Sequence, residues 1–211
     1  MQHSNRQRRG FLTRLTALFA ALFAGSRVTA ASSPLTPSST EGPFYPTLSM
    51  RYADVDNDLV KVAGRVQESG GEIMVLSGQV QNALGEALAG HRVEIWQCDL
   101  NGKYMHTGDR QRIEHDPDFQ GIGHDITDAS GTYRFRTIKP AKYTGRAPHI
   151  HVKVLDANLH ELLTTQFYIA GDPANAADGI FRRLTSAQAE VVSMSFRAGQ
   201  EWPETTINIV V

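Results

Sequence analysis

Short runs of strand-forming residues, separated by glycine-containing turns, constrain the fold of this 211-residue chain more than any other feature. Beyond Gly71 no helical period is sustained. The predicted strands cover residues 73–80, 92–98, 132–138, 149–155, 162–169 and 207–211. Residues 185–196 are ambiguous, because their first half suits a helical turn and their second half suits a strand. This spacing predicts an all-β chain with an antiparallel β-sandwich core.

The sequence divides into three segments before any site is considered. Residues 1–30 predict a signal peptide, since arginines precede an apolar stretch that is shorter than the roughly 20 residues of a membrane-spanning helix. The pair Arg8-Arg9 ahead of Phe11-Leu12 indicates the twin-arginine type, the alternative being an ordinary arginine-rich secretory signal. We therefore expect an exported protein, periplasmic or extracellular, with no stable membrane anchor. Residues 31–71 are predicted to form an extended N-terminal arm, and residues 72–211 the β-sandwich domain that would carry any site.

Charge and cysteine content exclude some classes of protein. The chain has 21 basic and 22 acidic side chains, and five arginines lie in the first 30 residues, where there is no acid. The remainder has 16 basic and 22 acidic side chains, a net charge of −6. A nucleic-acid partner is not expected, because phosphate binding needs a concentrated basic face. Cys98 is the only cysteine, so the chain cannot form an intrachain disulfide.

The segment from Arg146 to Val154 carries the clearest chemical signal. Successive strand side chains point to opposite faces, so His149 and His151 share one face while Ile150 shares the other with the valines. Two imidazoles at this spacing can converge on one ion. They can equally be two polar residues that face water, and the spacing alone leaves both interpretations open.

Two tyrosines lie where a metal site could use them. Tyr143 is in a proline- and glycine-flanked loop six residues before His149, and Tyr104 follows the strand that ends near Cys98. Tyr133 alternates with Phe135 along a strand, which is typical of packing. Packing roles are also expected for the remaining tyrosines, Tyr45, Tyr52 and Tyr168.

Together, these segments resemble the intradiol ring-cleavage dioxygenases, and most of all the iron-bearing subunit of protocatechuate 3,4-dioxygenase. The similarity runs in order from about residue 41 to residue 173. The segments that carry it are Gly42-Pro43-Phe44-Tyr45-Pro46, Trp96 with Asn101-Gly102-Lys103-Tyr104, Thr127-Asp128 with Gly131 to Pro140, and Arg146-Ala147-Pro148-His149-Ile150-His151. The β-sandwich fold of that family agrees with the strand pattern.

The resemblance implies that Tyr104, Tyr143, His149 and His151 bind a non-haem ferric ion, Fe(III). Phenolate is a hard anionic donor that favours Fe(III) over Fe(II). Zinc fits less well, because structural zinc sites favour cysteine and histidine and catalytic zinc rarely uses two tyrosines. An Fe(II) site of two histidines and a carboxylate also fits poorly, since no acid accompanies the pair on its strand.

The resemblance also implies a reaction and its partners. A small aromatic diol and O₂ react, and the ring opens between its hydroxyl-bearing carbons to give a muconate-type diacid. In that reaction Tyr143 leaves the iron as the diol binds, Arg146 stabilises negative charge beside the ring, and Gln166 matches a pocket glutamine. Family members commonly oligomerise, so a homo-oligomer or a sister subunit is implied as well.

Two departures from the family and two other functions stay open at this point. Only Thr144-Gly145 separates Tyr143 from Arg146, where relatives often carry a longer, tryptophan-containing insertion, and His124 stands where they often carry arginine. His124 is expected near the pocket or on the surface. One alternative function is a secreted β-sandwich binding or scaffold module, in which the histidines are incidental. The other is an intradiol-like fold that only stores metal.

Overall fold

The computed structural model describes residues 34–143 and 145–211, so the predicted signal peptide lies outside the described residues. In this described part the strands form two sheets. The first sheet contains β1 (Ile73–Gln81), β4 (Thr132–Ile138), β8 (Glu204–Thr206) and β9 (Ile209–Val210). The second sheet has the order β3 (Ile122–Ile126), β2 (Arg92–Trp96), β5 (His149–Leu155), β6 (Glu161–Ile169) and β7 (Ser193–Met194).

The longer strands pair antiparallel, as the sequence predicts. β1 pairs with β4, and β2 pairs with both β3 and β5, while β5 also pairs with β6. Short strands complete each sheet in the parallel sense, with β8 and β9 against β1 and β7 against β6. The predicted β-sandwich is confirmed, with the difference that its sheets are mixed.

The main core lies between the two sheets and follows the alternation of the strands. Leu76 on β1 and Phe135 on β4 meet Ile150, Val152 and other apolar side chains of the second sheet in one fully buried cluster. This packing assigns the odd-numbered positions of β5, which include both histidines, to the opposite, outer face of the second sheet.

The segment from residue 34 to residue 71 covers part of that outer face. Ser39 donates a backbone hydrogen bond to the Thr164 carbonyl on β6 at 2.8 Å, and the 3-10 helix Leu48–Met50 follows. Leu59 and Val60 then enter the main core. Because both of its faces are covered, β5 is buried at every position except its last.

The ambiguous segment at residues 185–196 contains both kinds of structure. Helix α1 (Ser186–Val191) begins at a capping box formed by Thr185 and Gln188, and β7 follows directly. Two 3-10 helices, Pro173–Ala176 and Phe181–Arg183, connect β6 to α1. None of the helices in the described residues has the length and apolar character needed to cross a membrane.

Candidate metal centre

The two histidines of β5 converge on its outer face. Their Nε2 atoms are 3.1 Å apart, and both side chains are almost fully buried. His149 Nδ1 lies 2.7 Å from the Ala147 carbonyl, which can only accept a hydrogen bond. Nδ1 therefore carries the proton, and the Nε2 lone pair of His149 points into the site.

Both imidazoles are neutral at ordinary pH. Burial lowers the pKa of His149 to about 4, and the Arg146 charge acts in the same direction. Burial, together with His149 and Arg146, also lowers the pKa of His151 well below its ordinary value. His151 Nδ1 is buried without a hydrogen-bond partner among the described residues. Neutral imidazoles with free lone pairs are the form that binds metal ions.

Tyr104 approaches the histidines from the turn after β2. Gly102 closes that turn with a positive φ of 77°, and a Cβ there would lie 2.5 Å from the Lys142 carbonyl oxygen, so only glycine fits. Asp109 accepts a hydrogen bond from the Tyr104 amide at 2.9 Å. The phenol oxygen of Tyr104 then lies 3.5 Å from His149 Nε2. Burial raises the pKa of this phenol well above its ordinary value.

Tyr143 completes the group from the loop between β4 and β5. Its ring centroid is 5.3 Å from that of Tyr104, edge to face, and 5.7 Å from that of His149. Tyr143 is only half-buried, whereas Tyr104 is 1% exposed, so Tyr143 is the phenol that solvent and small molecules can reach. Burial raises the pKa of Tyr143, and the adjacent Arg146 charge opposes that effect.

These four side chains fit a ferric ion. Two imidazole nitrogens bound to one metal ion at roughly 2.0–2.1 Å are about 3 Å apart when they are neighbours in its coordination sphere, as the two Nε2 atoms are here. The phenols supply hard oxygen donors, and a nearby multivalent cation favours their charged form. In the described residues no group of three His, Cys, Asp or Glu side chains is placed to hold a metal.

Trp96 and the arm hold the His151 ring in place. The Trp96 ring stacks on His151 with centroids 4.7 Å apart and planes 12° apart. Gly42 of the arm has a φ of 75°, and a Cβ on it would lie 3.3 Å from His151 Cε1. Phe44 packs against both tyrosine rings. The arm therefore forms one wall of the site.

A polar network adjoins the centre. The Arg146 guanidinium donates to Asp178 Oδ2 at 2.8 Å and to Gln166 Oε1 at 2.7 Å. Tyr168 donates to the same Gln166 oxygen at 2.8 Å, and the Gln166 amide nitrogen donates to the Thr40 carbonyl of the arm. The predicted residues Arg146 and Gln166 thus lie together. Gln166 contacts Arg146 and the arm within the described structure.

Sequence reasoning missed Asp178 and the site contact of Tyr168. Asp178 is 1% exposed and holds Arg146, but no motif marks it, because the contact depends on how the segment after β6 folds back. The strand pattern predicts a packing role for Tyr168, but its ring lies 5.8 Å from that of His149. A signal existed for Tyr168, since its position two residues after Gln166 places both side chains on one strand face.

Three further side chains, His106, His124 and Cys98, are not part of this group of four. His106 lies against Phe44, and its Nδ1 accepts a hydrogen bond from the Gly108 amide. His124 lies on β3 opposite Glu94. Cys98 is buried beside the Ala141 carbonyl, and burial raises the pKa of its thiol to about 12, which agrees with packing rather than reactivity.

A cleft of about 490 Å³ opens beside the centre. Tyr143 and Arg146 line its inner part together with Asp178, and Lys142 and Ala177 line its outer part. Tyr143 therefore borders both the histidines and this cleft, and a small molecule in the cleft lies beside Tyr143.

Comparison with known proteins shows the family of this chain. The model of a family described as "Dioxygenase" matches residues 40–211. The protocatechuate 3,4-dioxygenase beta chain of Burkholderia cepacia is 38% identical over 140 residues, which cover 63% of this chain and 60% of that protein. Catechol 1,2-dioxygenase of Acinetobacter baylyi is 33% identical over 162 residues, covering 65% and 47%. The matches thus span less than two thirds of either relative.

A solved structure extends the similarity to the fold. The dioxygenase domain of a dioxygenase carbohydrate-binding protein fusion from Streptomyces sp. SirexAA-E is 30% identical, with a TM-score of 0.64. The match covers 84% of this chain and 98% of that domain. Because the family model covers most of the sequence and the solved domain has the same β-sandwich, this chain belongs to the intradiol ring-cleavage dioxygenase family.

Proposed function

We propose that this protein is a non-haem Fe(III) dioxygenase that opens a catechol-type ring between its two hydroxyl-bearing carbons. Both atoms of O₂ enter the product, a muconate-type diacid, so the reaction balances without an added reductant. The observation that carries the proposal is the convergence of two buried histidines, His149 and His151, with two phenols, Tyr104 and Tyr143.

The solvent exposure of each tyrosine indicates its role. Ferric iron, when bound by these four side chains, supplies the Lewis acidity and redox chemistry that make a catechol reactive towards O₂. Tyr104 is enclosed and stays in place. Tyr143 faces the cleft, so its phenolate oxygen is the one placed to take a proton from an incoming diol. The Arg146 cation beside Tyr143 favours the phenolate form and stabilises negative charge that develops near the ring.

The non-catalytic alternative fits the site less well. A binding or scaffold module would carry incidental histidines, and incidental imidazoles are usually solvated. His149 and His151 are instead buried, with an Nε2–Nε2 separation of 3.1 Å. Burying polar groups costs free energy unless they are partnered, which supports a functional reason for their placement.

Two measurements test the proposal. The chain loaded with ferric iron should absorb visible light through phenolate-to-iron charge transfer, and Tyr104→Phe should shift or abolish the band. Tyr52→Phe is the matched control, because Tyr52 hydrogen-bonds the Pro117 carbonyl away from the centre. Oxygen uptake with catechol, protocatechuate and hydroxyquinol should give ring-opened diacids. A colourless iron-loaded protein that consumes no oxygen would refute the function.

We further propose export and assembly. Residues 1–30 would direct the protein to the periplasm or the medium, and replacing Arg8 and Arg9 by lysine should retain it in the cytoplasm if the twin-arginine route is used. The name of the Burkholderia relative, a beta chain, supports pairing with a sister subunit or with a second copy. Light scattering of the purified chain, alone and with a co-expressed alpha chain, distinguishes these assemblies.

A further inference from the structure

The cleft beside Tyr143 runs from a buried floor to an exposed rim. Tyr143 and Arg146 lie half-buried on the floor beside the fully buried Asp178. Lys142 and Ala177 are exposed at the rim. A diol bound at Tyr143 would therefore have open space between its ring and the solvent.

The cleft is large for a single unsubstituted ring. Its volume of about 490 Å³ falls in the range of roughly 300–1,000 Å³ that accommodates drug-sized ligands. Small residues, Gly145, Ala174 and Ala177, form its walls. Only Thr144 and Gly145 separate Tyr143 from Arg146 in the sequence, so the chain carries no bulky insertion between them. A ring that bears a side chain would fill this space better than catechol.

The charges of the cleft are unequal along its length. On the floor the Arg146 guanidinium is paired with Asp178 at 2.8 Å. At the rim, the Lys142 ammonium has no ion-pair partner in the described part of the chain. The uncompensated positive charge therefore lies at the exposed rim of the cleft.

We propose that the cleft holds the side chain of a substituted catechol and that Lys142 selects a carboxylate at the far end of that side chain. The substrate class is a 3,4-dihydroxyphenyl group carrying a short chain that ends in a carboxylate. This inference rests on the proposed function, since that function places the diol next to Tyr143.

The charge part of the proposal is tested with substrates of matched size. Ring opening of 3-(3,4-dihydroxyphenyl)propanoate is compared with that of its primary amide, and the ratio of their kcat/KM values is measured. Lys142→Gln should lower this acid-to-amide ratio roughly threefold to fivefold, the range that one exposed ion pair supports. Lys61→Gln removes an equal charge outside the cleft and should keep the parental ratio. A ratio that Lys142→Gln leaves unchanged would overturn the selection by Lys142.

The size part of the proposal is tested by filling the rim. Ala177→Phe should lower the ratio of kcat/KM for the amide to that for catechol by about tenfold, because the new ring occupies the space of the side chain. Ala177 is exposed, so the variant leaves the core packing intact. An unchanged amide-to-catechol ratio would show that the side chain lies elsewhere.

Binding to the iron-free protein separates this inference from the proposed function. Calorimetry should give a dissociation constant for the acid that is roughly threefold to fivefold weaker in Lys142→Gln than in the parent, with no such change for the amide. If no catechol is opened but this difference persists, the function fails and the cleft assignment stands. If catechols are opened and the difference is absent, the function stands and the assignment fails.

Discussion

Each carboxylate oxygen of Asp178 accepts two hydrogen bonds. Oδ2 accepts from Arg146 Nε and the Ala147 amide, both at 2.8 Å, and Oδ1 accepts from the Ile180 and Phe181 amides. Burial raises the pKa of Asp178, but the backbone hydrogen bonds and Arg146 outweigh it and hold the pKa below its ordinary value. Asp178 therefore fixes the Arg146 guanidinium and the backbone that leads into β5.

Asp178→Asn should destabilise the fold and disorder the Arg146 side chain. An amide can accept on one side only, so two of the four donors lose their acceptor and the Arg146 charge loses its partner. We expect a loss of roughly 3–5 kcal/mol in the free energy of unfolding, measured with urea. Arg197→Ala is the control, because its ion pair with Glu204 is exposed and should contribute less than about 1 kcal/mol. Equal losses in the two variants would contradict this role of Asp178.

Individual residues were predictable where local geometry decides their place. Strand alternation alone puts His149 and His151 on one face, and the structure has them there. The neighbours of Arg146 were not predictable in the same way, because Asp178 reaches it across 32 positions of sequence through a tertiary contact. The local sequence pattern therefore predicts the histidine pair. The ion pair and hydrogen bonds of Arg146 become apparent only from the folded structure.

At the level of elements, the arm and β5 build the site together. Gly42 packs on His151, and Glu41 pairs with Lys153 on the same face of the strand. Lys153 also lies over the Tyr45 ring at 4.1 Å. These contacts hold the arm against the outer face of β5.

Gly42→Ala should weaken iron binding as well as stability. An alanine at positive φ costs about 1–2 kcal/mol, and its Cβ would press on His151 at 3.3 Å. Gly64→Ala is the matched control, because its φ is 79° and nothing lies within 4 Å of the added carbon. Both variants should lose similar stability in urea, but only Gly42→Ala should shift the visible band or lower the iron affinity. If the two variants bind iron equally well, the arm does not contribute to iron binding.

Glu94 ties β2 to the arm in a pH-dependent way. Burial would raise its pKa, but hydrogen bonds from Tyr45 and Arg92 and the Arg51 charge outweigh burial and lower it. The unfolded chain therefore binds a proton at Glu94 at a higher pH than the folded protein does. The stabilisation is complete above the ordinary pKa of glutamate and disappears as the pH falls through the lowered folded value.

Glu94→Gln should accordingly be less stable than the parent at pH 7, by about 1–3 kcal/mol, with the difference shrinking below about pH 4. The difference is measured as the free energy of unfolding of each protein between pH 7 and about pH 3. Glu72→Gln is the control at pH 7. Glu72 forms an exposed ion pair with Lys139, so this substitution should lower the free energy of unfolding by less than about 1 kcal/mol. A difference that persists unchanged in acid would assign the Glu94 effect to packing.

Elements were predictable in proportion to their length. The long strands match their predicted bounds closely, and β4 and β5 match them fully. β3 was missed because glycines weaken a strand pattern, yet Gly123 is required there: a Cβ would lie 2.4 Å from the Asp56 carbonyl oxygen of the arm. The two- and three-residue strands β7 to β9 were not predicted at those lengths, because they depend on parallel pairing with distant strands.

At the level of the whole molecule, the candidate centre joins parts that are far apart in sequence. Tyr104 comes from the turn after β2, Tyr143 from the loop before β5, and the histidines from β5 itself, with Phe44 of the arm against both phenols. An ion that binds all four side chains links these segments only in the folded state. Metal binding is then part of the folding free energy.

Ferric iron should therefore raise the thermal stability of the chain. A ligand present at a hundredfold excess over its dissociation constant stabilises the native state by about 2.7 kcal/mol, which corresponds to roughly 5–10 °C in Tm for a domain of this size. Calorimetry of the protein with and without a soluble ferric complex measures the shift, and a chelator should reverse it. His151→Ala should abolish the gain, whereas His160→Ala should retain it, because the exposed His160 side chain pairs with Asp156 and not with any of the four site residues. An equal gain in both variants would place the ion elsewhere, and the convergence of the four side chains would then need another cause.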